Sequence, residues 1–125
     1  METVVVFRSK DFKEARKYRW KMMDLGVLCI IDNLTTPDYF EVRAIKRLYD
    51  YFEFMVTSCT GTMMWTLFDA YCRSHNAVNT IDLDIDMEYA IQYNLVRYDM
   101  DIFNFVLTDK GVALVEYLKE KGFLQ

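Results

Sequence analysis

Residues 94–111 read NLVRYDMDIFNFVLTDKG, and the reading of this stretch decides the fold class. Leu95 to Tyr98 and Ile102 to Leu107 are rich in β-branched and aromatic residues and are split by Asp99, Met100 and Asp101. Two such runs around a short polar break predict a β-hairpin whose side chains alternate between core and solvent. Thr108 follows directly as a helix N-cap, and Gly111, Leu114, Val115 and Leu118 recur at helical spacing until Gly122 supplies the stop. A strand pair feeding straight into a helix makes the chain α+β.

Upstream of the hairpin, Ile81, Leu83 and Ile85 alternate with Asp82, Asp84 and Asp86, the period-two pattern of an extended segment. A short helix from Met87 to Tyr93 follows it. An earlier helix restarts near Thr62 after the turn-favouring SCTGT, with Met64, Leu67, Phe68 and Tyr71 along one face, and ends by SHNAVN. Taken together, the helix ending at Cys72, EYAIQY, NLVRYD, NFVL and LTDKGVALVEYL resemble a winged helix-turn-helix domain of the kind found in MarR-like regulators. In that family a Leu-Val step leads from the recognition helix into a two-stranded wing, and Leu-Thr-x-x-Gly opens the next helix. Leu95, Val96, Leu107, Thr108 and Gly111 occupy those places. The resemblance spans about half the chain and implies a regulatory domain whose helix and wing meet DNA.

This chain departs from the family pattern in two respects. The interval from Asn76 to Asn94 holds one extended segment and one short helix where two helices are usual. From Ile81 to Asp101 there is one base, Arg97, against Asp82, Asp84, Asp86, Glu88, Asp99 and Asp101. Such a surface repels a phosphate backbone, so the winged shape is expected to serve protein contacts or dimerisation.

In the N-terminal half, TVVVF at Thr3–Phe7 predicts a short strand, and Ser9 caps a helix from Lys10 to Leu25. Phe12, Ala15, Tyr18, Met22 and Leu25 form its expected buried stripe, and Gly26 ends it. Thr36 as N-cap and Pro37 at the first helical position then predict a long helix reaching Val56. Ala44, Ile45, Leu48, Tyr51, Phe52 and Met55 make its apolar stripe, with Glu41, Arg43, Lys46, Arg47, Asp50 and Glu53 around it. The expected architecture is a single α+β domain over residues 1–125, mainly helical. Its N-terminal helices (1–59) pack on a winged-helix-like C-terminal half (60–125) that carries the small hairpin.

Composition narrows the function classes. A chain of 125 residues with 53% hydrophobic and 27% charged residues suits one globular domain. The apolar run Leu25–Ile31 falls far short of the roughly 20 residues of a membrane-spanning helix, and the N-terminus lacks a basic region and a cleavage site. A cytoplasmic protein with no membrane contact is expected. Cys29, Cys59 and Cys72 are odd in number and widely spaced, which predicts reduced core thiols rather than disulfides or zinc ligands. An EF-hand reading of the acidic series fails, because Met87 stands at the glycine position and Tyr93 at the bidentate glutamate position. His75 is the single histidine, and the chain has no phosphate-cradling Gly-rich loop, GxSxG or HExxH. The expectation is a non-enzymatic protein without metal or cofactor.

Charge is divided along the chain. Residues 1–48 carry ten Lys and Arg against seven Asp and Glu, whereas residues 49–125 carry five against twelve. Lys10, Lys13, Arg16, Lys17, Arg19 and Lys21 surround Tyr18 and Trp20, so phosphate neutralisation and base stacking are both available on the first helix. The same residues also suit the solvated face of an amphipathic helix. Arg43, Lys46 and Arg47 extend the patch if the two helices are adjacent. Asp82, Asp84, Asp86, Glu88, Asp99 and Asp101 form a candidate face for a protein partner. Tyr49, Tyr51, Phe52, Phe54 and Met55 lie on more than one side of the long helix and leave a homodimer open. The expected function is a regulatory or accessory protein that binds nucleic acid or protein. The alternative is a small acidic inhibitor of a nucleic-acid-binding enzyme, of the phage-encoded type, whose carboxylates imitate phosphates.

Overall fold

The computed structural model describes residues 1–59, 61–79 and 85–124 and is α+β. The chain divides into two compact units, Met1–Val56 and Thr57–Gln125.

The first unit is a three-stranded antiparallel sheet with one helix against it. Strand β1 (Thr3–Ser9) leads to helix α1 (Phe12–Asp24), then to β2 (Cys29–Asp32) and β3 (Phe40–Ile45), and the unit ends within helix α2 (Lys46–Ser58). β3 lies in the middle, in the order β1-β3-β2. Cys29 pairs with Ala44 and Ile31 with Val42, while Val4 and Phe7 sit opposite Ala44 and Val42 on the other side. Because strand side chains alternate, Phe40, Val42, Ala44, Cys29, Ile31 and Phe7 share one face. α1 covers that face: Tyr18 stacks on Phe7 at 4.5 Å and Phe12 meets Phe40 edge-on at 5.3 Å. Ala15 and Met22, seven residues apart, are fully buried beneath the helix. A bulge between Val5 and Phe7 shifts the β1 register by one residue.

Both ends of α1 follow local chemistry. Asp11 rather than Ser9 is the N-cap, accepting from the Lys13 N–H at 2.9 Å, while Ser9 Oγ accepts from the Asp11 N–H and donates to Glu14. At the other end the Gly26 N–H reaches Met23 O and the Val27 N–H reaches Met22 O, both at 2.9 Å. This closure needs a left-handed residue, and Gly26 supplies it with φ 85°.

The long helix expected from Pro37 to Val56 is not formed as such. Its first part is β3, and the helix begins only at Lys46. The reason is the alternation in FEVRAI, where Glu41 and Arg43 face one way and Val42 and Ala44 the other, so that β3 fills the gap between β1 and β2. The Thr36-Pro37 signal belongs to a turn instead: the Tyr39 N–H donates to Thr36 O at 3.0 Å. Asp32 caps the same loop by accepting from the Leu34 N–H and the Thr35 hydroxyl, both at 2.8 Å. The N-terminal half is therefore sheet and helix, not the set of helices expected. On α2, Phe52 and Met55 are buried as the stripe requires, whereas Tyr51 is exposed.

The second unit contains α3 (Gly61–Cys72), α4 (Ile85–Gln92), the hairpin β4 (Val96–Asp99) and β5 (Asn104–Leu107), and α5 (Asp109–Glu120). Leu67 is buried on α3 as expected, but its buried neighbours are Met63 and Ala70, while Met64, Phe68 and Tyr71 are only half-buried. The strand expected at Ile81–Asp86 falls mostly outside the described residues, and Ile85 and Asp86 already belong to α4. The hairpin and the last helix form where the sequence places them. Val96 pairs with Leu107 and Asp99 with Asn104, and Gly111, Leu114, Val115 and Leu118 are the buried residues of α5. Ala77 bridges Val106, and the Val78 N–H donates to Phe105 O at 2.9 Å, adding a third extended segment beside β5.

Leu95 is the anchor of this unit. Its N–H donates to Ala90 O at 2.8 Å at the end of α4, and its carbonyl accepts from the Thr108 N–H at 2.9 Å. Thr108 Oγ1 donates to Asn94 O at 2.6 Å and accepts from the Gly111 N–H at 3.0 Å. The start of α5 is thereby pressed onto the end of α4, and a Cβ on Gly111 would lie 2.2 Å from the Leu95 carbonyl oxygen. Gly111→Ala should lower stability in chemical denaturation by about 1–3 kcal/mol, the usual range for overpacking, although alanine favours helix. An unchanged or raised midpoint would show that α5 can move away from Leu95 at no cost.

Candidate functional site

The residues singled out in the first helix are sorted by α1 geometry into an inner and an outer side. Lys13, Arg16, Lys17 and Trp20 stand at i, i+3, i+4 and i+7, which places them on one face. All four are exposed, opposite buried Ala15 and Met22. The Arg16 guanidinium carbon lies 5.1 Å from the centroid of the Trp20 ring. Among the described residues no carboxylate pairs with Lys13, Arg16 or Lys17. Lys10, just before the helix, is exposed with its Nζ 5.5 Å from the Tyr39 ring. Arg19 and Lys21 turn toward the protein, Arg19 donating from Nε to Cys29 O at 2.9 Å and Lys21 lying 6.0 Å from the Tyr18 ring.

Phe12 stands at the border between this outer face and the side that packs on the sheet. The periodicity puts it on the buried stripe, yet it is 46% exposed. At the first turn of α1 it packs edge-on against Phe40 and leaves a little under half of its surface open. Phe12, Arg16 and Trp20 thus form a line at i, i+4 and i+8, flanked by Lys13 and Lys17.

Arg43 does not extend the patch. It lies on β3 and on the sheet face opposite α1, in a network with Glu41, Asp32 and Arg8. Arg8 donates from Nε to Glu41 Oε2 at 3.0 Å, Arg43 Nη2 donates to Glu41 Oε1 at 3.0 Å, and Arg43 Nε stands 3.2 Å from Asp32 Oδ2. Glu41 is 1% exposed. The hydrogen bond from Arg8 holds its carboxyl below the ordinary value of 4.5, followed by the effect of Arg43 against an opposing cost of burial. Asp32 is held below its ordinary 3.8 first by the Leu34 N–H and then by the Thr35 hydroxyl. Lys46 and Arg47 sit at the far end of β3 from Lys10, a strand length of about 17 Å away. With Met1, Glu2, Ile45 and Asp50 they line an open hollow of about 560 Å³. Lys46 Nζ is 2.7 Å from Asp50, whose hydrogen bond raises the lysine's pKa. The two helices therefore do not build one basic surface through Arg43.

In the second unit Glu88 is exposed on α4 and Asp101 at the hairpin turn. Asp99 Oδ1 caps that turn by accepting from the Asp101 N–H at 2.8 Å, and its other oxygen is 3.9 Å from Arg97. Asp86 lies in α4, and Asp82 and Asp84 lie outside the described residues. Cys29 and Cys59 are buried, with thiols pushed up to about 11 by burial, whereas Cys72 is exposed at the end of α3 rather than in the core. His75 is exposed, with φ 60°. No cluster of three or more metal-ligating side chains occurs among the described residues, and no helix among them is long and apolar enough to cross a membrane.

Comparison with protein families, with curated proteins and with solved structures finds no match to this chain. The chemistry of the α1 face therefore carries the functional reading.

Both carboxylates of the sheet network bind protons less readily when folded than when unfolded. Their contribution to stability is present above the ordinary values of 4.5 and 3.8 and is lost as pH falls through the lower folded values. Unfolding midpoints measured from pH 7 downward should hold and then drop below about pH 4.5. Glu41→Gln should lower the neutral-pH midpoint and flatten that acid drop; an identical acid profile would show that Glu41 is not linked to folding.

Proposed function

We propose that this chain is a non-enzymatic regulatory or accessory protein that binds a macromolecule, with the outer face of α1 as its nucleic-acid contact. The observation that carries this reading is the contrast among its cations. Arg8 and Arg43 are bound to Glu41, Lys46 to Asp50 and Arg73 to Asp69, whereas Lys13, Arg16 and Lys17 stand together beside Trp20, exposed and with no carboxylate partner among the described residues. Phosphates neutralised by such groups release counterions, which supplies affinity without any sequence code. The net charge of −4 does not oppose this, because at physiological salt a charge is screened over about 8 Å and a local patch decides what meets it.

The second unit is proposed to be winged-helix-like and to serve protein contacts. Its order of helix, bridging segment, helix, hairpin and helix supports the first part, together with Leu95, Thr108 and Gly111 holding the hairpin to α5. The exposed Glu88 and Asp101 beside a single hairpin base, Arg97, support the second, since this surface disfavours phosphate.

Fluorescence anisotropy with mixed-sequence single-stranded and duplex DNA across a salt series tests the reading. Binding should weaken steeply with salt. Replacing Lys13, Arg16 and Lys17 together by Ala should abolish most of it and reduce the log-log salt slope by about 2, as expected for three phosphate contacts on a single strand. No binding at low salt, or binding indifferent to the triple substitution, would remove α1 as the contact.

A further inference from the structure

We propose that the α1 face takes single-stranded nucleic acid in preference to duplex, stacking bases on Trp20 and Phe12 while Lys13, Arg16 and Lys17 hold the backbone. This rests on the nucleic-acid reading above and specifies its ligand. Trp20, 57% exposed, stands on the cationic face, and Phe12, 46% exposed, stands at its border with one edge on Phe40. Eight residues of helix separate them by about 12 Å, with Arg16 between them and a lysine row alongside. A cation over the ring at 5.1 Å covers at most one of the two faces of Trp20.

A duplex keeps its base faces stacked on one another and offers a protein only base edges and phosphates, so the two rings would remain unpartnered in a duplex complex. A single strand offers both things this surface is equipped for: phosphates for the cations and free π-faces for the rings. Every base has such a face, so the binding is tolerant of sequence. The 2′-hydroxyl has no dedicated partner in this arrangement, and DNA and RNA strands should bind alike.

The experiment uses the full chain carrying Trp65→Phe, so that Trp20 is the only indole. Its fluorescence is titrated at low salt with oligo-dT, oligo-rU and a duplex of equal length. The expected result is quenching by both single strands, with affinity about tenfold above that for duplex. Trp20→Ala and Phe12→Ala, read by anisotropy, should each weaken single-strand binding by about tenfold, the scale of one stacked base, and leave duplex binding unchanged. Both residues are exposed, and circular dichroism confirms that the variants fold. Equal affinity for duplex with no quenching would overturn the single-strand preference while leaving the cationic contact intact. No binding of any nucleic acid would remove both, and polyglutamate quenching Trp20 as strongly as oligo-dT would replace both with an acidic protein partner.

Discussion

A carboxylate placed on the central strand of a small sheet and shut off from water must be neutralised, because an uncompensated buried charge is among the costliest defects a fold can contain. Glu41 is in that position. It is answered from both sides: Arg8 reaches it from β1, and Arg43, two residues along β3, reaches it while also engaging Asp32 at the end of β2. One acid thus ties all three strands. Asp32 in turn caps the following loop through the Leu34 N–H and the Thr35 hydroxyl, and that loop delivers the chain to Phe40 and the start of β3. The closed sheet gives α1 a face to lie on, so the helix orientation depends on a charge network on the opposite side of the sheet.

The same network explains the character of the α1 surface. Two arginines are consumed by the buried acid, and the acids of the sheet are consumed by those arginines. Asp11 and Glu14, the acids within the first turns of α1, are engaged in capping with Ser9 and the Lys13 N–H. Lys13, Arg16 and Lys17 are left with no carboxylate among the described residues. Their exposure follows from the helix face they share, and their lack of a carboxylate partner among the described residues from the engagement of the acids nearest to them.

Local signals were legible in the sequence and non-local ones were not. The hairpin, the Thr108 cap and the Gly122 stop in the second unit involve residues within a few positions of each other, and each forms where the sequence places it. FEVRAI was obscured because a period of two over six residues runs directly into the helical KRLYDYF, and because Thr36 and Pro37 open a turn with the residues that would also open a helix. Only pairing with β1 and β2, which both come earlier in the chain and flank β3 in the sheet, decides in favour of a strand. The cationic face was legible for a related reason: 13, 16, 17 and 20 share a face on any helix. Phe12 was missed because periodicity assigns a direction but not the extent of the surface beneath it. Arg43 was misplaced together with the strand that carries it.

The two units obtain specificity by different means. In the first, a charge network fixes register, since sliding β3 by one residue would turn Glu41 and Arg43 onto the apolar face under α1 and expose Val42 and Ala44. In the second, the constraint is steric: Leu95 is fully buried, binds backbone on both sides, and leaves no room for a side chain at position 111. Each device is built from residues of its own unit, the bases of α1 lying in the first and the acids around the hairpin in the second.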